Sequence, residues 1–372
     1  MEELRRWRRD LHKIPELGLK EYKTAAYLRQ ELEKMGYQWE AVVETGTIVY
    51  VDCHREKTIA FRSDIDGLAL NEHNDIDFQS QHHGRMHACG HDGHMSALLG
   101  LAKRIKESDF SFPYNILLIF QPAEESPGAA KFVVESGILE EYNVKAIFGM
   151  HLMPFIEEGT IACKNGPLMA MCGEMDVSIQ GKGSHAGLPQ EGIDSIMVAS
   201  HAIQQYQSLV ARRISPFVPV VLNIGHIQGG TTRNSVASET VMHGTLRCYD
   251  EKLFIDITNE IDAIHQGLEK TYECQIKWSC PPMYPPVMND EKLYSIFREL
   301  IKQDYIELKE PLMLSEDFAF YQKVIPGIFF YLGTYCDQYQ SGLHTETFNF
   351  HEEVLEKAVN LYYTIACHMK GV

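Results

Sequence analysis

Short apolar segments without polar alternation recur along this chain, and stretches with helical spacing of apolar residues lie between them. The apolar segments are TIAFRSDI (58–65), YNILLIFQ (114–121), KAIFGMHL (145–152) and GIFFYLG (327–333). Helical spacing predicts helices over 2–13, 20–35, 95–108, 128–142, 291–303 and 352–369. Strands that are apolar on both sides must be covered on both sides, so the pattern predicts an α/β domain whose mostly parallel sheet has helices on both faces.

The pattern changes after residue 172. EMDVSIQGKG (174–183) alternates as a half-buried strand does, and a helix over 194–211, strands at 218–230 and 239–250, a helix over 251–271 and a strand at 273–280 follow. The order β-α-β-β-α-β predicts a ferredoxin-like α+β unit inserted into the first domain. We therefore expect one domain formed by 1–172 and 282–372, and an inserted domain over 173–281.

Charge and cysteine usage exclude several classes of protein. The chain has 372 residues and a formal net charge of −17 without an acidic tail, which argues against nucleic-acid and anionic-membrane partners. No apolar run is long enough to span a membrane. Nine scattered cysteines without a CxxC pair are typical of reduced thiols, so we expect a soluble, cytoplasmic protein.

Polar residues follow the predicted strands at several points. Ligands bind at the carboxyl ends of the strands of a parallel sheet. The segments concerned are RSDID (62–66), QPAEES (121–126) and GMHLMP (149–154), together with HACGHD (87–92) and GLHTE (342–346).

Cys89 and His91 stand two residues apart before the predicted helix 95–108, and thiolate with imidazole favours zinc-like metals. A structural zinc site requires four such ligands, and the sequence has no second close-set pair. A redox site requires a resolving cysteine, and none lies nearby in the sequence. An edge of a catalytic metal site is the interpretation that remains strongest.

The other candidates come from the same sheet edge. Glu124 and Glu125 diverge on an extended backbone, so one can bind metal while the other acts as a general base; two solvated acids capping a helix are the alternative. His151 and His344 could equally be a core histidine and an ordinary loop histidine. Counted together, the five ligands provide three contacts to each of two ions if Cys89 binds both. Sites with two metal ions activate water and polarise carbonyl groups, as amide hydrolysis requires. The five are Cys89, His91, Glu125, His151 and His344.

The chain resembles the aminoacylase-like metallopeptidase family, in the branch of N-acyl-amino-acid amidohydrolases. This branch contains hippurate hydrolases, auxin-conjugate hydrolases and N-acetyldiaminopimelate deacetylases. The resemblance extends from residue 10 to residue 353 and rests on the ordered motifs HxCGHDxH, QPAEE, GKGxHA, GTxR and SEDF. It implies a binuclear centre with the same five ligands, Glu124 as the acid/base, and supporting roles for Asp64, Asp66, His87, Asp92 and His94.

The resemblance also assigns residues in the inserted unit, which is similar to the family's lid and dimerisation domain. It implies that His185 stabilises the oxyanion, within its own chain or in a neighbouring subunit. Asn234 and Arg247 match positions that bind the substrate carbonyl and carboxylate, although an exposed cross-strand charge is the alternative for Arg247. We therefore expect a homodimer formed through this domain.

Motif wording and length are most similar to N-acetyldiaminopimelate deacetylases, which implies a deacetylase of lysine and cell-wall precursor synthesis. The expected cofactors are two divalent ions of zinc, manganese or cobalt, and the expected partner is a small N-acyl amino acid. Two alternatives stay open. One is a hippurate-like hydrolase or dipeptidase of the same fold, and the other is an inactive metal- or ligand-binding relative.

Overall fold

The chain folds as two units, one of which is inserted in the sequence of the other. The computed structural model describes residues 1–301 and 304–372. The first unit comprises Met1–Leu168, Val287–Pro311 and Asp317–Val372, and the second comprises Met169–Pro286 and Leu312–Glu316. Within the described residues, no helix combines the length and the apolar character that crossing a membrane requires.

In chain order the elements are α1 (Glu2–His12), α2 (Tyr22–Lys34), β1 (Glu40–Val42), β2 (Gly46–Val51), β3 (Thr58–Asp64), α3 (His91–Lys106), β4 (Asn115–Gln121), α4 (Ala130–Glu135), α5 (Ile138–Glu141), β5 (Val144–Glu157), β6 (Ile161–Cys163), β7 (Gly166–Met169), β8 (Met171–Gln180), a 3₁₀ turn (Pro189–Glu191), α6 (Ser195–Arg213), β9 (Val221–Gly229), β10 (Glu239–Cys248), α7 (Glu251–Tyr272), β11 (Gln275–Ser279), β12 (Pro282–Tyr284), β13 (Val287–Asn289), α8 (Glu291–Leu300), β14 (Tyr305–Glu307), α9 (Ala319–Gln322), β15 (Gly327–Tyr335) and α10 (Val354–His368).

An eight-stranded sheet forms the centre of the first unit, in the order β1-β2-β4-β3-β5-β15-β6-β14. Its four central strands, β4, β3, β5 and β15, are mutually parallel. Phe61 and Phe148 pack in one core cluster with residues of α1, α3 and α10. Their neighbours Ala60 and Ile147 point to the opposite side and are also fully buried. Both faces of the sheet are therefore covered, which confirms the predicted α/β class.

The second unit contains the order β8-α6-β9-β10-α7-β11, and its antiparallel strands lie in the order β11-β8-β10-β9. Along β8, Met175, Val177 and Ile179 are buried, whereas Glu174 and Asp176 are exposed. This alternation confirms a ferredoxin-like sheet with one face packed on helices and the other face open.

The bounds of several elements differ from the sequence-based expectation, among them those of three predicted helices. Helix α3 begins at His91 rather than at 95, because Gly90 adopts a left-handed φ of 86° directly before it. The predicted helix 128–142 is two short helices, α4 and α5, separated at Gly137 with φ of 84°. The predicted helix 291–303 is α8, which ends at Leu300, and its last two predicted residues lie outside the described part of the chain.

Glu31 joins the first two helices through a buried carboxylate. Oε2 accepts hydrogen bonds from Arg6 Nη2 and Trp7 Nε1, both at 2.6 Å, and Oε1 accepts one from Lys34 Nζ at 2.6 Å. Burial by itself raises the pKa of Glu31, but the hydrogen bonds from Arg6, Lys34 and Trp7 lower it to about 2. The ionised carboxylate therefore stabilises the α1–α2 contact.

We predict that Glu31→Gln lowers the free energy of unfolding by about 2 kcal/mol at pH 7. Because the folded-state pKa lies below the ordinary value, this stabilisation is present above about pH 4.5 and is lost as the pH falls toward 2. Urea unfolding at pH 7, 5 and 3 should therefore show that the wild type and Glu31→Gln differ less in their free energy of unfolding as the pH falls. Glu135→Gln, at an exposed helix position, should change stability by less than about 0.5 kcal/mol. If Glu31→Gln lowers the free energy of unfolding equally at all three pH values, the ionised carboxylate of Glu31 is not the source of the stabilisation.

Candidate metal centre

The structure brings all five predicted ligands and Glu124 together at one edge of the large sheet. Cys89 lies in the loop that leads into α3, and His91 is the first residue of that helix. The pair Glu124 and Glu125 lies in the turn after β4, and His151 lies within β5. His344 belongs to the segment between β15 and α10, and its backbone N–H donates to the Ala88 carbonyl at 2.9 Å.

The Cys89 thiol occupies the middle of the cluster. Its Sγ lies 3.2 Å from His151 Nε2 and 3.3 Å from His344 Nε2. His344 Nε2 also lies 3.1 Å from Glu125 Oε1. Two sets of ligand atoms each converge within 4.8 Å, namely Cys89 with His91 and His151, and Cys89 with Glu125 and His344. Since Cys89 belongs to both sets, the arrangement fits two ions that share one sulfur ligand.

The two buried histidines have the tautomer that metal binding requires. His91 Nδ1 lies 2.9 Å from the Asp66 carbonyl oxygen, and His151 Nδ1 lies 2.6 Å from the Leu152 carbonyl oxygen. A carbonyl only accepts, so each Nδ1 carries a hydrogen, and Nε2 is the ring nitrogen that can bind an ion in place of a proton. His91 Nε2 is buried and has no hydrogen-bond partner among the described residues. An orphaned nitrogen of this kind, oriented by its other ring nitrogen, is typical of a metal ligand.

His94 lies beside the cluster but has no lone pair left for an ion. Its Nδ1 is 2.7 Å from Asp64 Oδ1, and its Nε2 accepts the Leu152 backbone N–H at 2.9 Å. Both ring nitrogens are thus used by the protein. His94 instead fixes the part of β5 that carries His151.

Two carboxylates fix the turn that carries Glu124 and Glu125. Ala123 adopts a positive φ of 49°, and its N–H donates to Glu21 Oε1 at 2.8 Å. The Glu125 N–H donates to Asp66 Oδ2 at 3.0 Å. Glu124 is buried, and one of its oxygens lies within 4.8 Å of ligand atoms of His91 and Glu125. Sequence reasoning missed Glu21, whose only signal is its place in the ELGLKE segment.

The electrostatics of the cluster favour a cation. Burial, with the charge of Glu125, raises the pKa of the Cys89 thiol well above its ordinary value. Burial alone would lower the pKa of His91, but the carboxylates of Asp64 and Asp66 raise it to about 10. The pocket thus holds more negative charge than its histidines neutralise, and divalent ions would supply the missing positive charge. The donor set therefore fits the expected metal ions in charge as well as in geometry.

A buried guanidinium lies beneath the cluster. Arg62 donates from Nη1 to Asp64 Oδ2 at 2.8 Å, from Nη2 to Asp317 Oδ1 at 2.7 Å and from Nε to Gln121 Oε1 at 2.8 Å. Gln121 Nε2 donates to Asp317 Oδ2 at 2.7 Å. The SEDF motif contributes to the site through Asp317, which holds the ends of β3 and β4. Sequence reasoning did not single out Arg62 or Asp317.

A second buried network holds the first turn of α3. Asp92 Oδ2 accepts from Arg8 Nε at 2.9 Å and lies 2.7 Å from His12 Nδ1. His87 is also buried, and burial lowers its pKa to about 3, so it is neutral. Neither of its ring nitrogens has a hydrogen-bond partner in the described chain, and nothing in the structure explains this.

The inserted unit brings two of its three predicted residues together and separates the third. His185 and Ser235 form a bridge, and the Ala186 N–H donates to the Asn234 carbonyl at 3.0 Å, so His185 and Asn234 are neighbours. Both are exposed. Arg247 lies at the opposite end of β10, where Nη1 donates to the Met313 carbonyl at 2.8 Å. From Glu239 to Arg247, a strand rise of about 3.3 Å per residue gives roughly 26 Å.

Comparisons with known proteins show which family the chain is similar to. A family model described as peptidase family M20/M25/M40 matches residues 60–368. An N-acetyldiaminopimelate deacetylase of Priestia megaterium is 38% identical over 95% of this chain and 95% of its own length. The IAA-amino acid hydrolase ILR1-like 4 of Arabidopsis thaliana is 36% identical over 96% of this chain and 84% of its own length. The crystal structure of the Bacillus subtilis YXEP protein, described as a dinuclear metal binding peptidase from the M20 family, superposes with a TM-score of 0.84 at 31% identity, covering 98% of this chain and 96% of that chain.

Proposed function

The chain belongs to the peptidase family M20/M25/M40 and is a metal-dependent amidohydrolase, and we propose that it removes an acetyl group from an N-acetyl amino acid. N-acetyldiaminopimelate is the substrate we favour, which would place the enzyme in lysine and cell-wall precursor synthesis. The observation that carries the proposal is the convergence of two ligand sets on Cys89. Relatives named for this deacetylase activity, which match nearly the whole chain, support the choice of substrate.

We assign one ion to Cys89, His91 and His151 and the other to Cys89, Glu125 and His344. Zinc, manganese and cobalt all accept this mixture of thiolate, imidazole and carboxylate. When bound, two such ions lower the pKa of water and polarise the amide carbonyl. The support for the assignment is the sulfur shared by the two ligand sets and the buried His91 Nε2, which has no hydrogen-bond partner among the described residues.

Glu124 is the general acid/base in this proposal. Its carboxylate takes a proton from the attacking water, whose oxygen bonds to the acyl carbon. It then passes that proton to the amine nitrogen as the C–N bond breaks. The products are a carboxylate, here acetate, and the free amino acid. Burial of Glu124 beside His91 and Glu125 supports this role, because a carboxylate with a position next to two ligands can face the water that they bind.

His185, Asn234 and Arg247 are proposed to contact the substrate. The imidazole of His185 would donate to the oxyanion, Asn234 to the substrate carbonyl, and the guanidinium of Arg247 to the free carboxylate. Asn234 lies in the loop before β10 and Arg247 lies near the end of that strand, so we infer that one small substrate does not reach both of them in one chain. This separation supports a mechanism in which His185 and Asn234 serve the site of a neighbouring subunit.

A homodimer formed through the inserted unit follows from the same proposal. β9 is an edge strand of the antiparallel sheet in the second unit, and it exposes 37% of Val221 and 48% of Ile227. An exposed apolar edge strand is a surface that another strand can pair with. We also propose a cytoplasmic location, which is supported by the free thiols of all nine cysteines.

We predict that Cys89→Ala lowers the tightly bound metal, because both ions lose a ligand at once. Protein dialysed against metal-free buffer should retain two ions per chain in the wild type and fewer than one in the variant, measured by elemental analysis. Cys53→Ala, which removes a half-buried thiol elsewhere in the chain, should retain two. Unchanged metal content in Cys89→Ala would exclude the bridging role.

Glu124→Gln should lower kcat by about 100- to 10,000-fold while two ions remain bound, because the variant loses proton transfer but keeps the ligands. The measurement pairs steady-state kinetics with elemental analysis on the same sample. Glu140→Gln, an exposed position on α5, is the control and should keep the wild-type rate. Full activity in Glu124→Gln would remove the proposed mechanism, and a loss of metal would make Glu124 a ligand instead.

The substrate proposal is tested with a panel of amides. We expect the highest kcat/KM on N-acetyldiaminopimelate, with hippurate, simple N-acetyl amino acids and dipeptides at least about tenfold lower. Each substrate is assayed with zinc, manganese and cobalt added back. A preference for hippurate would favour the second candidate, an N-aroyl-amino-acid hydrolase, which the plant relative's name supports. No hydrolysis of any substrate by metal-loaded protein would indicate an inactive binding relative.

A further inference from the structure

A second cluster of metal-binding side chains lies in the large unit, and it shares no residue with the metal centre. Glu158, Cys336 and His351 place a carboxylate oxygen, a thiol sulfur and a ring nitrogen within 4.8 Å of one another. All three side chains are half-buried. Neither the proposed chemistry nor the sequence motifs account for them.

The sheet itself places two of the three residues side by side. β5 and β15 are parallel neighbours, and Tyr335 lies opposite Glu157 in their register. Glu158 and Cys336 are the residues that follow, and the Glu158 N–H donates to the Tyr335 carbonyl at 2.9 Å. His351 comes from the segment just before α10, whose first turn begins at Val354. Three separate segments of the chain therefore meet at this cluster.

The contacts of the His351 ring call for a positive charge at this cluster, either a second proton on the imidazole or a bound cation in its place. Nδ1 lies 2.6 Å from Glu158 Oε2 and 3.6 Å from Cys336 Sγ, while Nε2 lies 3.0 Å from Gln338 Oε1. If Nε2 donates to the Gln338 carbonyl oxygen, Nδ1 presents its lone pair to a carboxylate. A ring nitrogen has one in-plane position, so one hydrogen does not serve both the carboxylate and the sulfur. One cation bound between the three atoms would satisfy all of them.

We propose that Glu158, Cys336 and His351 form a third cation site, which binds Zn²⁺ or a similar borderline ion. Thiolate, imidazole and carboxylate are the ligand types of zinc sites, and three protein ligands leave one position open for water. Gln338 orients the imidazole, as partners of ligating histidines commonly do. The exposed fractions of His351 and Glu158, 34% and 32%, make this site weaker and more readily exchanged than the buried centre. The ion joins the ends of β5 and β15 to the start of α10.

The test counts zinc at equilibrium. Wild type, Cys336→Ser and His351→Asn are dialysed against the same buffered micromolar free zinc and analysed for bound metal per chain. We expect both variants to bind one ion fewer than the wild type. The matched controls are Cys53→Ser, another half-buried thiol, and His54→Asn, an exposed histidine beside Asp52, and both should bind as many ions as the wild type. Because the result is a difference, it does not depend on how many ions the Cys89 centre holds.

A second measurement uses only the wild-type chain, so that the folding of a variant does not decide the outcome. Protein with the buried centre already loaded is alkylated with iodoacetamide, with and without added zinc, and the labelling rates of individual cysteines are read by peptide mass spectrometry. Zinc should slow labelling of Cys336 at least tenfold and leave labelling of Cys53 unchanged. Equal rates at Cys336 with and without zinc, or equal metal content in wild type and both variants, would overturn the site and leave a hydrogen-bonded pair of Glu158 and His351.

Discussion

The position of the metal centre depends on a guanidinium that is completely removed from water. A buried charge is tolerated only when it is paired and its donors are used. Arg62 meets this condition with Asp64 and Asp317, one at the end of its own strand and the other just before α9. Asp64 then orients His94, and His94 accepts the Leu152 N–H beside His151. A continuous series of hydrogen bonds thus connects the interior of the sheet to the backbone beside His151, a proposed ligand.

The centre itself is a concentration of negative charge that the fold has not neutralised. Asp64 and Asp66 are fully buried, and Glu124 and Glu125 are added from the neighbouring strand. Protons compensate part of this charge, as the raised pKa of His91 indicates. Divalent ions compensate it better, because they contact several ligands at once and release those protons. Ions that bind only the folded chain would therefore increase its stability by mass action.

Fully buried strands and the residues at their ends could be predicted because the relevant information is local. Around β3, β4, β5 and β15, apolar residues stand at consecutive positions without polar alternation. The rule that ligands collect at the carboxyl ends of parallel strands then brings Cys89, Glu125 and His151 to one edge. Arg62, Asp317 and Glu21 could not be found in this way. Arg62 and Asp317 are 255 positions apart, and an arginine or aspartate in an extended segment usually faces solvent. Their burial depends on which strands become neighbours, which no local pattern specifies.

The length of β5 shows how a glycine in the neighbouring strand can allow the cluster of Glu158, Cys336 and His351 to form. The sequence predicts that this strand ends at residue 152, but it continues to Glu157. Its extension lies against β15 at Gly333, where a Cβ atom would approach the Glu157 carbonyl oxygen to 2.1 Å and the Ile156 carbonyl oxygen to 2.6 Å. Only glycine allows this approach, and the Gly333 N–H and carbonyl bond to Thr160 and Gly159 instead. A larger residue would push the end of β5 away from β15 and separate Glu158 from Cys336. His151 lies further back in the same strand, where the register with β15 is regular, so the two clusters depend on different parts of one strand pair.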